Sequence, residues 1–154
     1  WEATPQGVFG GQNGALAAFV VTAYMGGVPL IYSGQEVGFP TQLSFFAGDV
    51  TKIDWSVNPD ILAEYQQLMS FYNSSEAVKG SSIETFPAQD VVAFKRISGS
   101  EEVVVLVNVR DTAVDFELPA SLANTTWEDA FTNNSVTLNE TVSLEAYEYM
   151  ILKN

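Results

Sequence analysis

Apolar and polar positions in the first half of the chain follow two helical patterns and one strand-like pattern. Residues 12–25 are Ala-rich and apolar on nearly every side, and two glycines follow them, which predicts a buried helix. Residues 28–33, VPLIYS, form a short apolar run typical of a strand that is buried on both faces. A second helix is predicted to open at Asn58-Pro59-Asp60, because apolar residues then recur at helical spacing up to Tyr72.

Beyond Ser75 the pattern changes to short β-rich runs separated by turn residues. VVAFKRI and EEVVVLVNV flank Ser98-Gly99-Ser100, which predicts a β-hairpin. TAVDFELP, TWEDAF, SVTLN, TVSLE and YEYMILK follow at the spacing of an all-β sandwich. With the boundary placed between Ser75 and Ser82, the predicted domains are residues 1–75 and 76–154. The predicted fold class is α+β.

The segment from Gly34 to Asn58 is a predicted long loop, punctuated by Gly, Pro and Asp. Loops of this length in compact proteins are usually functional or face a partner. Glu36 lies between two glycines of this loop. Because buried acids are hydrogen-bonded or paired, we expect backbone N–H groups of the loop to hold its carboxylate, and direct contact with a substrate is the alternative.

Composition limits the chemistry that these residues can perform. The chain of 154 residues has 19 acidic and 6 basic residues, a formal charge of -13, and no Lys/Arg cluster, which argues against nucleic acid and anionic membranes as partners. Its longest apolar stretch is too short to insert across a membrane. Without Cys or His, thiolate chemistry and Ser/His/Asp triads are excluded within this sequence, so carboxylates, Tyr and Lys remain.

Acidic residues outside the loop are weaker candidates. Glu101/Glu102 and Glu128/Asp129 are adjacent pairs, but strand neighbours point to opposite faces, so we expect solvated strand and turn positions rather than a catalytic pair. A calcium site needs several converging oxygen ligands, and the loop acids lack that spacing. These loop acids are Asp49, Asp54 and Asp60.

Aromatic side chains of the loop could stack on the apolar side of a sugar ring. Large aromatic side chains are mostly buried, however, so we expect Phe45, Phe46 and Trp55 to pack in the interior. For Phe39 both roles, stacking on a sugar ring and packing in the interior, stay open. Trp127 is predicted to lie in the core of the β-domain.

GVPLIYSGQEVGF, with the helix before it, resembles the last βα segment of the α-amylase family, glycoside hydrolase family 13. Its best motif is Tyr32-x-Gly34-x-Glu36-x-Gly38. LSFFAGDVTKIDW resembles the stretch after that strand, and the helix of residues 60–72 resembles the last barrel helix. VVAFKRISGSEEVVVLVNV resembles the start of the family's C-terminal β-domain, so the resemblance covers essentially the whole chain.

The resemblance implies a remnant of the end of a (β/α)8 barrel, with two helices and one strand, followed by an antiparallel β-sandwich of Greek-key type. It also implies a retaining glycosidase acting on α-glucosidic bonds of starch-like glucans, which needs two flanking carboxylates. In the family these carboxylates and an Asn-His-Asp motif lie on earlier barrel strands. We therefore expect the catalytic residues upstream of Trp1, and this chain alone to be inactive.

The resemblance carries further expectations about ligands. Trp1 would lie near the cleft of the full enzyme, so Trp1, Glu36 and Phe39 are the candidate substrate-binding residues. The family's usual calcium site lies upstream, and no cofactor or metal site is expected in this chain. The α-glucan substrate and the upstream barrel are the expected partners.

Three hypotheses stay open. The chain is a non-catalytic C-terminal part of such an enzyme, a carbohydrate-binding module, or an interaction module that uses the apolar helix. Coplanar exposed aromatic side chains on one sheet face would favour the second hypothesis. Because the helix and strand within residues 12–33 are apolar enough to require cover, we expect the isolated chain to self-associate through them or to pack them against the β-domain.

Overall fold

The computed structural model describes residues 3–43, 52–80 and 82–154. Its helices are α1 (Pro5–Val8), α2 (Gln12–Tyr24), α3 (Pro59–Ser74) and α4 (Glu76–Lys79), and a short 3₁₀ turn spans Gln35–Val37. Its strands are β1 (Ser82–Phe86), β2 (Val91–Ser98), β3 (Glu101–Asn108), β4 (Val114–Glu117), β5 (Thr125–Asp129), β6 (Ser135–Leu138), β7 (Thr141–Leu144) and β8 (Tyr149–Lys153). The predicted α+β class is confirmed.

Both predicted helices are present, with ends set by local chemistry. α2 ends where Gly26 adopts φ 110°, a conformation that L side chains rarely take. Its N-terminal cap is Gly11, so no side chain caps the helix there. α3 opens with Pro59 in its first turn and has Asp60 beside its positive end.

The strands form an antiparallel sandwich of two sheets. The larger sheet has the order β1-β2-β3-β8-β5-β6, and β4 pairs with β7 in the second sheet. β2 and β3 form the predicted hairpin, in which Ser98 pairs with Glu101 and Gly99 turns at φ 60°. The chain crosses to the second sheet at β4, returns to the larger sheet for β5 and β6, and crosses again at β7. It ends in β8, which lies between β3 and β5.

The central strand β3 is buried on both faces, and this divides the interior into two cores. Val103, Val105 and Val107 point toward the helices and join the first core, which includes residues of α2, α3 and α4. Val104 and Leu106 point the other way, into the second core between the two sheets. The run VVVLV is therefore continuously apolar because neither face of this strand meets solvent.

The predicted strand at residues 28–33 is wrong. The segment is not part of a strand, and the side chains of Val28, Leu30 and Tyr32 are 91%, 85% and 64% exposed. A strand requires a neighbouring backbone to pair with, and none of the strands described above pairs with this segment. Only Ile31 packs against the first core.

The first core contains residues from both sides of the predicted boundary at residue 75, so the helices and the larger sheet share one apolar interior. The division into domains 1–75 and 76–154 stays a prediction. Within the described part of the chain, no helix is both long and apolar enough to cross a membrane.

Candidate functional site

The helices and the larger sheet bury side chains against each other in the first core. Phe19 and Val20 of α2 are buried together with Tyr65 and Leu68 of α3, against one face of the sheet. The ring of Phe19 lies 4.8 Å from that of Tyr65, measured between centroids. The buried Tyr24 hydroxyl donates to the carbonyl of Leu68 at 2.8 Å, which ties the two helices together.

Polar side chains cross the same contact at its edges. Ser75 begins α4 and is 2% exposed; its hydroxyl accepts from Val78 N and donates to Glu101 of β3 at 2.5 Å. On the same face of the sheet, the Tyr149 hydroxyl of β8 donates to Glu64 of α3. Burial raises the pKa of Tyr149 above its ordinary value, and the Glu64 carboxylate is the second, smaller cause of the rise. These bonds fix the register of the helices on the sheet.

Glu36 lies in the 3₁₀ turn that follows the exposed segment. Its Oε2 accepts a hydrogen bond from the backbone N–H of Gly34 at 2.9 Å, as the loop-backbone interpretation predicts. Gly34 and Gly38 both have positive φ, 90° and 56°, so the tight turn depends on glycine at either side of the acid. Gln35 next to it donates to the Tyr65 hydroxyl at 3.0 Å. The turn is thus anchored to α3.

One carboxylate alone is not sufficient for a retaining glycosidase, which requires a nucleophile and an acid/base carboxylate about 5–5.5 Å apart. Within residues 3–43, 52–80 and 82–154, Glu36 accepts its hydrogen bond from the backbone N–H of Gly34. The same residues contain no group of three or more acids placed to hold a metal ion.

The adjacent acids have structural partners. Glu101 accepts from Ser75 and from Glu76 N, while Glu102 lies 3.2 Å from Lys95 of β2. The two acids of this pair therefore serve different contacts, as strand alternation predicts.

Asp129 closes the turn after β5. Its Oδ1 accepts from Phe131 N, Thr132 N and Thr132 Oγ1 at 2.7–3.0 Å. Burial alone would raise the pKa of Asp129, but these hydrogen bonds outweigh it and hold the pKa below its ordinary value. Asp54 likewise accepts from Ser56 N and Oγ, which lowers its pKa. Both carboxylates stabilise turns.

The aromatic candidates divide between core and surface. Trp127 is 7% exposed in the second core, which confirms its predicted place, and its Nε1 donates to Thr125 Oγ1 at 2.7 Å. Trp55 is 56% exposed, so the prediction that it packs in the interior is wrong. It lies in a turn that the described cores do not reach. Phe39 is half-buried, and its carbonyl accepts from the Gln6 side chain. Trp1, Phe45, Phe46 and Asp49 lie outside the described residues.

Sequence reasoning missed one groove between the helices and the sandwich. It has a volume of about 700 Å³, and its lining includes five carboxylates and no Lys or Arg. They are Asp60, Glu64, Asp129, Glu145 and Glu148. Because these acids come from distant parts of the sequence, no local motif predicts that they line one groove.

The described residues form an antiparallel sandwich whose larger sheet packs on two helices. Residues 83–151 match the sequence model of the maltogenic amylase C-terminal domain. The chain is 30% identical over 121 residues to Alpha-amylase 2 of Dictyoglomus thermophilum, covering 71% of this chain and 20% of that protein.

Solved structures show the same fold. The structure of AmyP in complex with maltose superposes with a TM-score of 0.74 at 19% identity, covering 92% of this chain and 34% of that one. The maltogenic amylase from S. marinus gives 0.68 at 19% identity, covering 89% of this chain and 19% of that one. The chain thus spans about a fifth of the curated relative, and about a third and a fifth of these two structures.

The sequence model, the relative and the solved structures together support the chain as a C-terminal part of an α-amylase family enzyme. This confirms the resemblance that the motif around Glu36 and the β-rich second half indicated.

Proposed function

We propose that this chain is a non-catalytic C-terminal part of an amylase-like glycoside hydrolase that acts on α-glucosidic bonds of starch-like glucans. The observation that carries the proposal is the first core, in which the sandwich covers the apolar faces of α2 and α3. Leu16, Phe19, Val20, Tyr24 and Leu68 are all 3% exposed or less there. Fully burying one such side chain stabilises a protein by roughly 1.5–3 kcal/mol. The sandwich therefore acts as a cover for the helices on which it sits.

The alternative function, a carbohydrate-binding module, needs exposed aromatic side chains that form a platform on a sheet face. From Ser82 to Asn154 every Phe, Tyr and Trp side chain is buried or half-buried. The exposed aromatic side chains lie elsewhere, at Phe9, Tyr32 and Trp55. This distribution supports packing rather than sugar binding as the role of the sandwich.

The expected partner of the exposed segment of residues 28–32 is the remainder of the enzyme. The structure narrows the surface through which the isolated chain is expected to self-associate, because α2 is already buried against the sheet. Within residues 12–33, the exposed large apolar side chains are Met25 and the alternating set Val28, Leu30 and Tyr32. In the proposed enzyme this set is covered by upstream barrel residues, and in the isolated chain a second copy would cover it. Light scattering of the chain and of Leu30→Ser tests this: a monomeric wild type would contradict the self-association.

The activity test uses the chain as given. Release of reducing ends from soluble starch and maltooligosaccharides is measured beside co-sedimentation with insoluble starch. We expect neither turnover nor retention on starch. Retention without turnover would favour the carbohydrate-binding alternative, and Tyr32→Ala and Trp55→Ala would then locate the contact. Reproducible turnover that Glu36→Gln abolishes would overturn the proposal.

A further inference from the structure

Arg96 of β2 reaches across the contact between the sheet and the helices. The residue is only 3% exposed. Its Nη1 donates to the carbonyl of Met25 at 3.2 Å, its Nε to that of Ala77 at 3.5 Å, and its Nη2 to that of Gly80. Met25 closes α2, whereas Ala77 and Gly80 lie in and just after the last turn of α4. One side chain from the sheet therefore joins the ends of two helices.

The chemistry of a helix end explains why an arginine occupies this place. The last carbonyls of a helix have no partner within the helix and carry partial negative charge. A guanidinium offers five N–H donors in a rigid plane, whereas a lysine ammonium is a compact point charge on a flexible stem. Burial lowers the pKa of Arg96, but an arginine keeps its charge in proteins. The planar fork serves several carbonyls at once in fixed directions, which a flexible ammonium does not pre-set.

The backbone after α2 is fitted to this guanidinium. Gly26 has φ 110°, and a Cβ at that position would lie 2.8 Å from Arg96 Nη1. From the other side, the Tyr72 hydroxyl of α3 donates to the carbonyl of Gly27 at 3.2 Å. Met25, Gly26 and Gly27 are thus held between the sheet and α3.

The exposed segment of residues 28–32 leaves from this held point and is held again at its far end. There Gln35 bonds to Tyr65, and Asn58 Nδ2 donates to the carbonyl of Val37 at 2.9 Å. The segment between the two anchors presents Val28, Leu30 and Tyr32 outward. Arg96 of the sandwich takes part in the first anchor, at Met25, whereas Tyr65 and Asn58 hold the far end.

We propose that Arg96 is a positioning residue through which the β-sandwich fixes the start of the exposed segment of residues 28–32. By capping α2 and α4 with one guanidinium, it sets the direction in which this apolar segment is presented to the remainder of the enzyme. The inference rests on the proposed function for the identity of that partner, but its contacts lie wholly within this chain.

Hydrogen exchange of the 154-residue chain tests the proposal residue by residue. The variants are Arg96→Met, which keeps the stem and removes the donors, and Arg96→Lys, which keeps the charge. The matched control is Arg110→Met, which removes an exposed arginine paired with Asp90 at 2.7 Å. The reporting amides are those of Met25, bonded to Val21, and Gln35, bonded to Tyr32. Amides of the β3–β8 ladder report global opening.

A hydrogen bond from a charged donor is worth about 1.5–3 kcal/mol, so Arg96→Met should speed exchange at Met25 and Gln35 roughly ten- to a hundredfold. Global opening also breaks these hydrogen bonds, so exchange in the β3–β8 ladder should rise by a similar factor, and Arg96→Lys should recover part of both effects. Leu152→Ala destabilises the second core and leaves Arg96 in place, so it should speed exchange in the ladder more than at Met25 and Gln35. An equal increase at these two amides in Leu152→Ala would make them reporters of general stability and overturn the proposal. Unchanged exchange at Met25 and Gln35 would also overturn it.

Gly26→Ala supplies a test that does not depend on whether Arg96→Met folds. The added methyl displaces the guanidinium, so the variant should speed exchange at the same amides. Combined with Arg96→Lys it should add little further effect, because both changes disrupt one contact. Full additivity would overturn the proposal. Exchange is measured without substrate, so turnover of starch by the chain would overturn the proposed function while leaving this result standing.

Discussion

Replacing Ile151 tests whether the sandwich stabilises the helices that it covers. Ile151 of β8 pairs with Val105, is 1% exposed and belongs to the first core. Truncating a fully buried Ile to Ala costs about 2–5 kcal/mol, because apolar contacts are lost and the cavity does not collapse completely. At about 2–4 °C per kcal/mol for a chain of this size, the melting temperature should fall by roughly 4–20 °C.

Leu152 is the matched control, since it is the next residue on the same strand and faces the second core. Ile151→Ala and Leu152→Ala should cost similar free energies of unfolding in urea titrations followed by circular dichroism. They should differ in where hydrogen exchange accelerates: in α2 and α3 for Ile151→Ala, and in the β4–β7 sheet for Leu152→Ala. Ile151→Val should cost only about 0.5–1.5 kcal/mol.

The reasoning would be refuted if Ile151→Ala changed the free energy of unfolding by less than about 0.5 kcal/mol, the range of ordinary surface substitutions. It would also be refuted if exchange in α2 and α3 were unaffected. In either case the helices would not depend on the sandwich face against which they pack.

Two further predictions concern turns of the sandwich. Asp129→Asn should lower the free energy of unfolding at neutral pH by about 1 kcal/mol, a figure reduced for solvent screening. Because the pKa of Asp129 is lowered in the folded state, its contribution is present above the ordinary carboxyl pKa and is lost as pH falls through the folded value. Denaturant titrations of both proteins from pH 7 downward should therefore converge, and a gap that persists in acid would contradict this origin. Gly99→Ala should cost about 1 kcal/mol through backbone strain alone, since its φ is 60° and a Cβ there meets nothing within 4 Å; unchanged thermal unfolding would contradict the strain.

Several elements were predictable because their signals are local. Pro59 and Asp60 mark the start of α3, and the glycines after Tyr24 mark the end of α2. Ser98-Gly99-Ser100 marks the hairpin between β2 and β3. In each case the residues that decide the conformation lie within one turn of it.

The candidate site was predicted only in part. The hydrogen bond of Glu36 to its own loop follows from the adjacent glycines, and the buried place of Trp127 follows from its size and its strand. Arg96 carries no signal in the sequence, because its acceptors lie at residues 25, 77 and 80 and meet it only after folding. The exposure of Trp55 could not be predicted either, because it depends on which distant residues pack over the side chain after folding.

The motif around Glu36 indicated the family by resemblance. Local patterns were enough to predict the helices, the hairpin and the succession of short strands. These depend on periodicity, capping and turn chemistry, which act between residues close along the chain. The conformation of residues 28–33 depends on tertiary structure. These residues have the composition of a buried strand but lie exposed without a paired neighbour. A strand forms only when its backbone is hydrogen-bonded to another strand. A short apolar run does not contain that second strand, so its sequence cannot determine whether the strand forms.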